Sequence, residues 1–290
     1  SAPRAAAAVN VVLAGRGRGL AWSGRKMLEE GERRAGAGLA RVIDRLIPAQ
    51  LHAERPPGPS TNLSRPELLL LLSHRHNDHL MGLPHFTPLM TRSHRVRIAC
   101  WGVDTASLTS LVMQQLSAPL FPTLSGVREA VHTAEFDDQD ALSLGDGAQV
   151  LALPAHHPGG AAVMRIDDAD GPVLAYAPDN ELALGSTDGT LAVWRRALTS
   201  ALSGTPLLLH DATYTDDELP AHRGWGHSSA EEATRFAIEC RIGTLALIHH
   251  HPDRSDDAVD ALLARCQSIV AASGSPLTVV AARDGMTLQV

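Results

Sequence analysis

His74-Arg75-His76-Asn77-Asp78-His79 has the spacing H-x-H-x-D-H and follows directly on the apolar run ELLLLLS, residues 67–73. Polar groups lose hydration where such a run ends, so each imidazole and carboxylate there needs a partner. In an extended segment side chains two apart point the same way, so His74 and His76 can grip one ion. Asp78 and His79 lie past the turn and can face a neighbouring ion. Neutral imidazole and carboxylate are donors that zinc prefers, at about 2.0–2.2 Å, and a catalytic ion keeps one position for water. The competing reading is a polar loop with coincidental histidines, and the apolar strand behind it argues against that.

The same event recurs along the chain. AQVLALPAHH runs out into His156 and His157, VLAYAPD into Asp179, TPLLLHDA into His210 and Asp211, and TLALIHHH into His249. A strand end is a rigid place from which to aim a ligand, and several such ends converge at one edge of a sheet. ELLLLLS reads as a strand covered on both faces, and RVRIACWG as a second strand. DTASLTSLVMQQLS has helical apolar spacing with Asp104 as its N-cap. AQVLALP, AAVMRID and PVLAYA are three short strands separated by turns.

In HSSAEEATRFAIECRIG, Ser229 and Glu232 predict a capping box; Ala233, Phe236, Ala237 and Cys240 line one face, and Gly243 is the expected stop. DDAVDALLARCQSIVAASG predicts a further helix, and LTVVAARDGMTLQV a closing strand pair. Residues 1–66 carry less pattern. VNVVLAG reads as a strand and GRKMLEEGERRAGAGLARVIDRLI as a helix weakened by glycines, before loop composition up to Pro66.

At 290 residues and 44% hydrophobic, the chain has material for one large α/β domain. Its net charge of -7 argues against holding nucleic acid through a broad basic face. Cys100, Cys240 and Cys266 are scattered and odd in number, which fits a reducing compartment and a cytoplasmic protein rather than a disulfide framework. No apolar run approaches the ~20 residues that cross a bilayer. Arginines precede the first acidic residue, Glu29, as in a targeting segment, but an arginine-rich coding bias is the favoured reading, since Lys26 is the only lysine.

SHRHNDH resembles the T-H-x-H-x-D-H motif of metallo-β-lactamase-fold hydrolases, in the branch containing ribonuclease Z and small phosphodiesterases. The resemblance runs from about Glu67 to the C-terminus. It implies a four-layer αββα sandwich within one hydrolase domain, residues 1–290. PAHHPGGAAVMRID resembles the branch pattern in which a His lies eight residues before an Arg-Ile pair, which selects His157; lactamase-type relatives would select His156. VLAYAPDNE resembles the strand ending in the metal-bridging aspartate, Asp179. LALIHHHPD resembles the strand ending in the last ligand, His249 by alignment on the strand end, with His250 one register step away.

The resemblance thus implies one divalent ion on His74, His76 and His157, and a second on Asp78, His79 and His249, with Asp179 and a hydroxide bridging them. Zinc is the first expectation; manganese and iron accept the same donors. Two such ions carry four positive charges, of which Asp78, Asp179 and the hydroxide remove three, so the site attracts an anion. The ions would activate the shared water and stabilise charge on a phosphate. Asp78 is therefore assigned to the catalytic machinery. GWGHSSAEEA resembles the branch segment whose His, here His227, protonates the leaving oxygen; the bland reading is a His that helps to cap the helix. His210 and Asp211 are expected behind the ligands, with Asp211 fixing a ligand ring.

These implications favour a small phosphodiester, of cyclic nucleotide or cyclic phosphate type, as substrate. A tRNA is disfavoured because no Gly/Pro-rich basic insertion stands out as an arm. A thioester hydrolase of glyoxalase II type, using His156, is the alternative enzyme, and a metal-binding protein without turnover the alternative outside catalysis. The start departs from the family pattern: Ala14 stands where relatives carry an Asp, residues 36–64 read as an insertion, and the N-terminal strands look shortened. Missing strands would leave a sheet edge open to homodimerisation.

Overall fold

The computed structural model describes residues 10–14, 20–23, 67–86, 95–120, 131–136, 141–145, 148–183 and 188–283, with a few single positions besides. They fall into two compact units, one within Ala8–Asp137 and one within Asp138–Val290. Both are α/β.

The first unit has a five-stranded sheet in the order β2-β1-β3-β4-β5. Its strands are β1 (Asn10–Ala14), β2 (Leu20–Ser23), β3 (Glu67–Leu72), β4 (Arg95–Cys100) and β5 (Val131–Ala134). Leu68–Leu72 are all buried, as the unbroken run predicts for a strand covered on both faces. Leu68, Leu70 and Leu72 pack with Ile98 and Cys100 of β4 and with Leu108 and Val112. Those last two lie on helix α2 (Thr105–Gln115), whose N-cap Asp104 accepts from Ser107 N at 2.9 Å.

β1 pairs antiparallel with β3, and β2 with β1. The short hairpin therefore occupies the flank of β3 for which an open edge was expected. The helix expected after it, and the insertion at 36–64, lie outside the described residues.

The second unit has a seven-stranded sheet in the order β12-β11-β10-β9-β8-β7-β6. In chain order these are β6 (Leu142–Gly145), β7 (Ala148–Pro154), β8 (Ala162–Asp168), β9 (Gly171–Ala177), β10 (Leu207–Asp211), β11 (Thr244–Ile248) and β12 (Thr278–Ala281). β6 to β9 are antiparallel neighbours, and β9 to β12 run parallel. β10 is buried along its whole length between two parallel neighbours. Helices α3 (Gly189–Leu202), α4 (Ala230–Glu239) and α5 (Asp256–Ser273) accompany this sheet. Phe236 of α4 and Leu262 of α5 share a buried cluster with Leu208, Leu245 and Val279.

Several expectations are corrected here. The capping box is half a box: Ser229 Oγ accepts from Glu232 N at 2.9 Å, but the Glu232 carboxylate goes to Arg223 at 2.8 Å. Gly243 is not the left-handed stop. Arg241 takes the positive φ of 55°, and Gly243 is small because a Cβ there would lie 2.8 Å from the Pro206 carbonyl. Of the closing strand pair, only β12 is a strand among the described residues. α3 gave little sequence signal, because only Leu198 and Leu202 are buried and its N-cap, Asp188, sits in turn-like composition.

Candidate metal centre

In the first unit β3 stops at Leu72 and the chain turns into the single-turn helix α1 (Asn77–Leu80), with His76 extended at its N-cap. Four candidate ligands are packed into that turn. His74 and His79 are buried, Asp78 is partly exposed and His76 is exposed. Ser73 Oγ lies 3.0 Å from His74 Nδ1, which leaves Nε2 to face His76 Nδ1 at 3.1 Å. The His79 ring lies 4.1 Å from the His74 ring, and its Nε2 is 3.4 Å from Asp78 Oδ2. For a tetrahedral ion with bonds of about 2.0–2.1 Å, two ligand nitrogens sit roughly 3.3 Å apart. The His74–His76 separation therefore suits a shared ion.

In the second unit the sheet brings the remaining candidates to one edge. β9, β10 and β11 are parallel, with His210 level with Ala177 and Asp211 level with Ile248, so Asp179, Asp211 and His249 leave the sheet at the same end. β7 reaches that edge too, because Pro154 pairs with the first residue of β8, and β8 runs antiparallel to β9. His157 follows three residues later.

Buried Asp179 points one carboxylate oxygen at each of two imidazoles. Oδ2 is 3.6 Å from His157 Nε2, and Oδ1 is 3.5 Å from His249 Nε2. Both rings are held from behind. His157 Nδ1 donates to the Gly226 carbonyl at 2.9 Å. His249 Nδ1 meets Thr213 Oγ1 at 2.8 Å, and that hydroxyl lies 2.7 Å from Asp211 Oδ1. These bonds put the proton on Nδ1 and leave each Nε2 unprotonated, the arrangement by which proteins orient metal-ligating histidines. His249 adopts φ 57°, the left-handed kink that turns the chain out of β11.

Asp211 is fully buried and unites the group. Oδ2 accepts from His227 Nδ1 at 2.8 Å and Asn180 N at 3.2 Å, and Oδ1 from Thr213 N at 3.0 Å. Asp211 was expected to fix a candidate ligand ring; it reaches the His249 ring through Thr213 and also grips His227 directly. His227 stacks on His249 at 4.9 Å, and ligand atoms of Asp179, His227 and His249 lie within 4.8 Å of one another. Burial pushes the His227 pKa down, but the charge and hydrogen bond of Asp211 outweigh it; His249 opposes, Asp179 reinforces, and the net shift is upward. His210 Nδ1 donates to the Asp211 carbonyl at 2.8 Å, and its Nε2 accepts from the Asn180 amide at 3.1 Å. Burial lowers its pKa, as suits a neutral structural imidazole.

His156 turns elsewhere: its Nδ1 is 3.0 Å from the Glu181 carbonyl and its ring packs near Trp194. His250 is buried. The three thiols are free and buried, with pKa values pushed up by desolvation to about 12 for Cys100 and Cys240 and about 11 for Cys266.

Several supporting residues escaped sequence reasoning. Gly226 has φ 86°, and a Cβ there would fall 2.3 Å from His157 Nδ1 and 2.4 Å from Pro158. Buried Glu181 accepts from Gly224 N at 2.8 Å and Gly226 N at 3.0 Å, holding the loop that carries the His157 acceptor. The Gly-Trp-Gly run before His227 was the available signal. His222 stacks on Tyr214 at 4.3 Å. Arg165, which marked the interval to His157, instead forms a bidentate pair with Asp167 at 2.8 and 2.7 Å.

No helix among the described residues is long and apolar enough to cross a membrane. The sequence matches the beta-lactamase superfamily domain over residues 42–250. It is 26% identical over 222 residues to a ribonuclease Z of Natronomonas pharaonis, covering 61% of this chain and 68% of that one. A ribonuclease Z of Brevibacillus brevis is 33% identical over 93 residues, only 31% of this chain and 28% of its own. The metallo-beta-lactamase fold protein YhfI of Bacillus subtilis superposes with a TM-score of 0.55 at 19% identity, over 76% of this chain and 77% of that one. That likeness bears on the fold. Relatives of this chain are metal-dependent hydrolases, and because ribonuclease Z is among them the expectation against tRNA finds no support. With a domain match extending over most of its length, and the strand-end histidines and aspartates in place, the chain belongs to the beta-lactamase superfamily and has the metallo-β-lactamase fold.

Proposed function

We propose that this chain is a dinuclear metal-dependent phosphodiesterase, with residues 1–290 acting as one hydrolase domain. The observation that carries the reading is the Asp179 carboxylate, which offers one oxygen towards His157 Nε2 and the other towards His249 Nε2 while each ring is tied at Nδ1. A carboxylate so placed suits a bridge between two ions. The donor set of imidazole nitrogens and carboxylate oxygens fits zinc, and also manganese or iron. In this reading His74, His76 and His157 would hold one ion and Asp78, His79 and His249 the other, with Asp179 shared between them. Bound there, the ions would supply Lewis acidity and lower the pKa of water.

The chain's own residues do the rest. Thr213, the Gly226 carbonyl and Asp211 hold the ligand rings in one tautomer. Asp211 keeps a proton on His227 Nδ1 and favours the charged imidazole. His227 Nε2 then serves as the donor that protonates a leaving oxygen. The thioester alternative needs His156 as a ligand, but its Nδ1 faces a backbone carbonyl and its ring packs near Trp194. Both a small phosphodiester and the 3′ region of a tRNA precursor satisfy this chemistry.

Metal content measured together with hydrolysis of bis(p-nitrophenyl) phosphate tests the proposal. The expected result is two metal equivalents per chain and turnover that chelation abolishes. Two equivalents with no turnover on that diester, cyclic nucleotides or a tRNA precursor would leave a metal-binding protein only. Activity confined to thioesters would establish the alternative enzyme.

A further inference from the structure

Trp225 is 62% exposed and is the one large aromatic so exposed among the described residues. An indole in water on a loosely held loop needs no explanation. This one is rigidly presented. It stands between Gly224 and Gly226, both in the left-handed region at φ 84° and 86°. The N–H groups of both glycines bond to one buried carboxylate oxygen, Glu181 Oε2. Trp225 N bonds to the His222 carbonyl at 3.1 Å. The indole meets the His222 ring edge-on at 5.1 Å, and that ring stacks on Tyr214 at 4.3 Å with 14° between planes. His222 is itself held by a bond from Nδ1 to the Glu218 carbonyl at 2.8 Å.

The same loop feeds the metal centre. The carbonyl of Gly226 orients His157, and His227 follows immediately. Two residues of chain separate the Trp225 and His227 Cα atoms by at most about 7 Å. Carried two residues from the group proposed to protonate the leaving oxygen, an exposed indole on a braced backbone is suited to a flat aromatic substituent of a phosphodiester.

We propose that Trp225, braced by His222 and Tyr214, is a stacking platform for the nucleobase next to the scissile phosphate, so that the substrate is a nucleotide diester rather than a simple alkyl phosphodiester. This rests on the phosphodiesterase reading above. Base–aromatic stacking is worth about 1–3 kcal/mol per base and tolerates any base, so the platform sets substrate class rather than sequence.

Two esters with one leaving group provide the test: thymidine 5′-(p-nitrophenyl phosphate) and methyl p-nitrophenyl phosphate. Trp225→Leu should lower the ratio of their kcat/KM values, thymidine over methyl, roughly tenfold, and Trp225→Phe should restore most of it. Adenosine 5′-monophosphate should quench tryptophan fluorescence in the wild-type protein, and the quenching should vanish in Trp225→Leu. An unchanged ratio, or quenching that persists in Trp225→Leu, would overturn the platform while leaving the hydrolase reading intact. If the wild type cleaves neither of these esters nor bis(p-nitrophenyl) phosphate, cyclic nucleotides or a tRNA precursor, but loses its quenching with Trp225, the hydrolase reading falls and the stacking site stands.

Discussion

The two sets of candidate ligands are built in different ways. The turn after β3 places His74, His76, Asp78 and His79 within six consecutive residues, and its supporting bond comes from the adjacent Ser73. The edge of the seven-stranded sheet draws His157, Asp179 and His249 from three separate strand ends and backs them with Asp211, Thr213 and the Gly226 carbonyl. A contiguous motif is cheap to encode but leaves His76 exposed and Asp78 partly so. In the dispersed set His157 and Asp179 are buried and His249 is partly so, and the Nδ1 bonds of both rings fix their tautomers. Preorganisation therefore resides mainly in the second unit.

The largest test of that contrast compares the two aspartates. Asp179→Ala should remove both metals and on the order of a thousandfold or more of activity, since bound ions contribute several kcal/mol. Asp78→Ala should remove one equivalent and abolish turnover while the other ion is retained. Metal analysis beside initial rates distinguishes them, and equal metal loss would erase the contrast.

Next comes Gly226→Ala. The left-handed backbone and the Cβ position, 2.3 Å from His157 Nδ1, should together destabilise the fold by about 3 kcal/mol and weaken metal binding, read by thermal melts with and without metal. A variant that melts like the wild type would show that the loop yields freely.

Removing one hydroxyl from each set gives a finer comparison. Thr213→Val strips the link between His249 and Asp211 and should cost roughly 10–100-fold in metal affinity. Ser73→Ala loses a single neighbour bond to His74 and should cost less. Competition with a chromogenic chelator measures both, and a larger loss for Ser73→Ala would reverse the assignment of rigidity.

The smallest effect belongs to Glu218, half exposed and 2.7 Å from Arg254, which also bonds the Thr213 carbonyl at 3.0 Å. Burial pushes the Glu218 pKa up, but Arg254 and Thr215 outweigh it and the carboxyl lies below its usual range. Its stabilisation is therefore present above the ordinary carboxylate pKa and is lost as pH falls through the lowered value. Glu218→Gln should cost under about 1 kcal/mol at neutral pH. In acid the difference from wild type should close.

Much of the site was legible because strand ends announce themselves. An apolar run that stops at His or Asp identifies both the strand and the group that follows it: β3, β7, β9 and β11 end just before His74, His157, Asp179 and His249. Helix α4 was equally plain, its apolar positions and Ser229 acting within one turn of each other. Glu232 was misassigned because Arg223, nine residues away, competes for its carboxylate. α3 was missed because only two of its side chains are buried.

What the sequence alone determined is local: the H-x-H-x-D-H turn, the alternation and length of the strands, and the residue types able to bind a metal. These depend on neighbours within a few residues, so spacing encodes them. Tertiary structure decided which of His156 and His157 faces Asp179, that His249 kinks out of β11, and that Gly226 must lack a Cβ. The His157–Gly226 bond joins residues 69 apart, and Thr213 reaches His249 across 36. Hydrogen bonds have a range of about 3 Å, so contacts between such distant positions exist only once the sheet has set its strands in register.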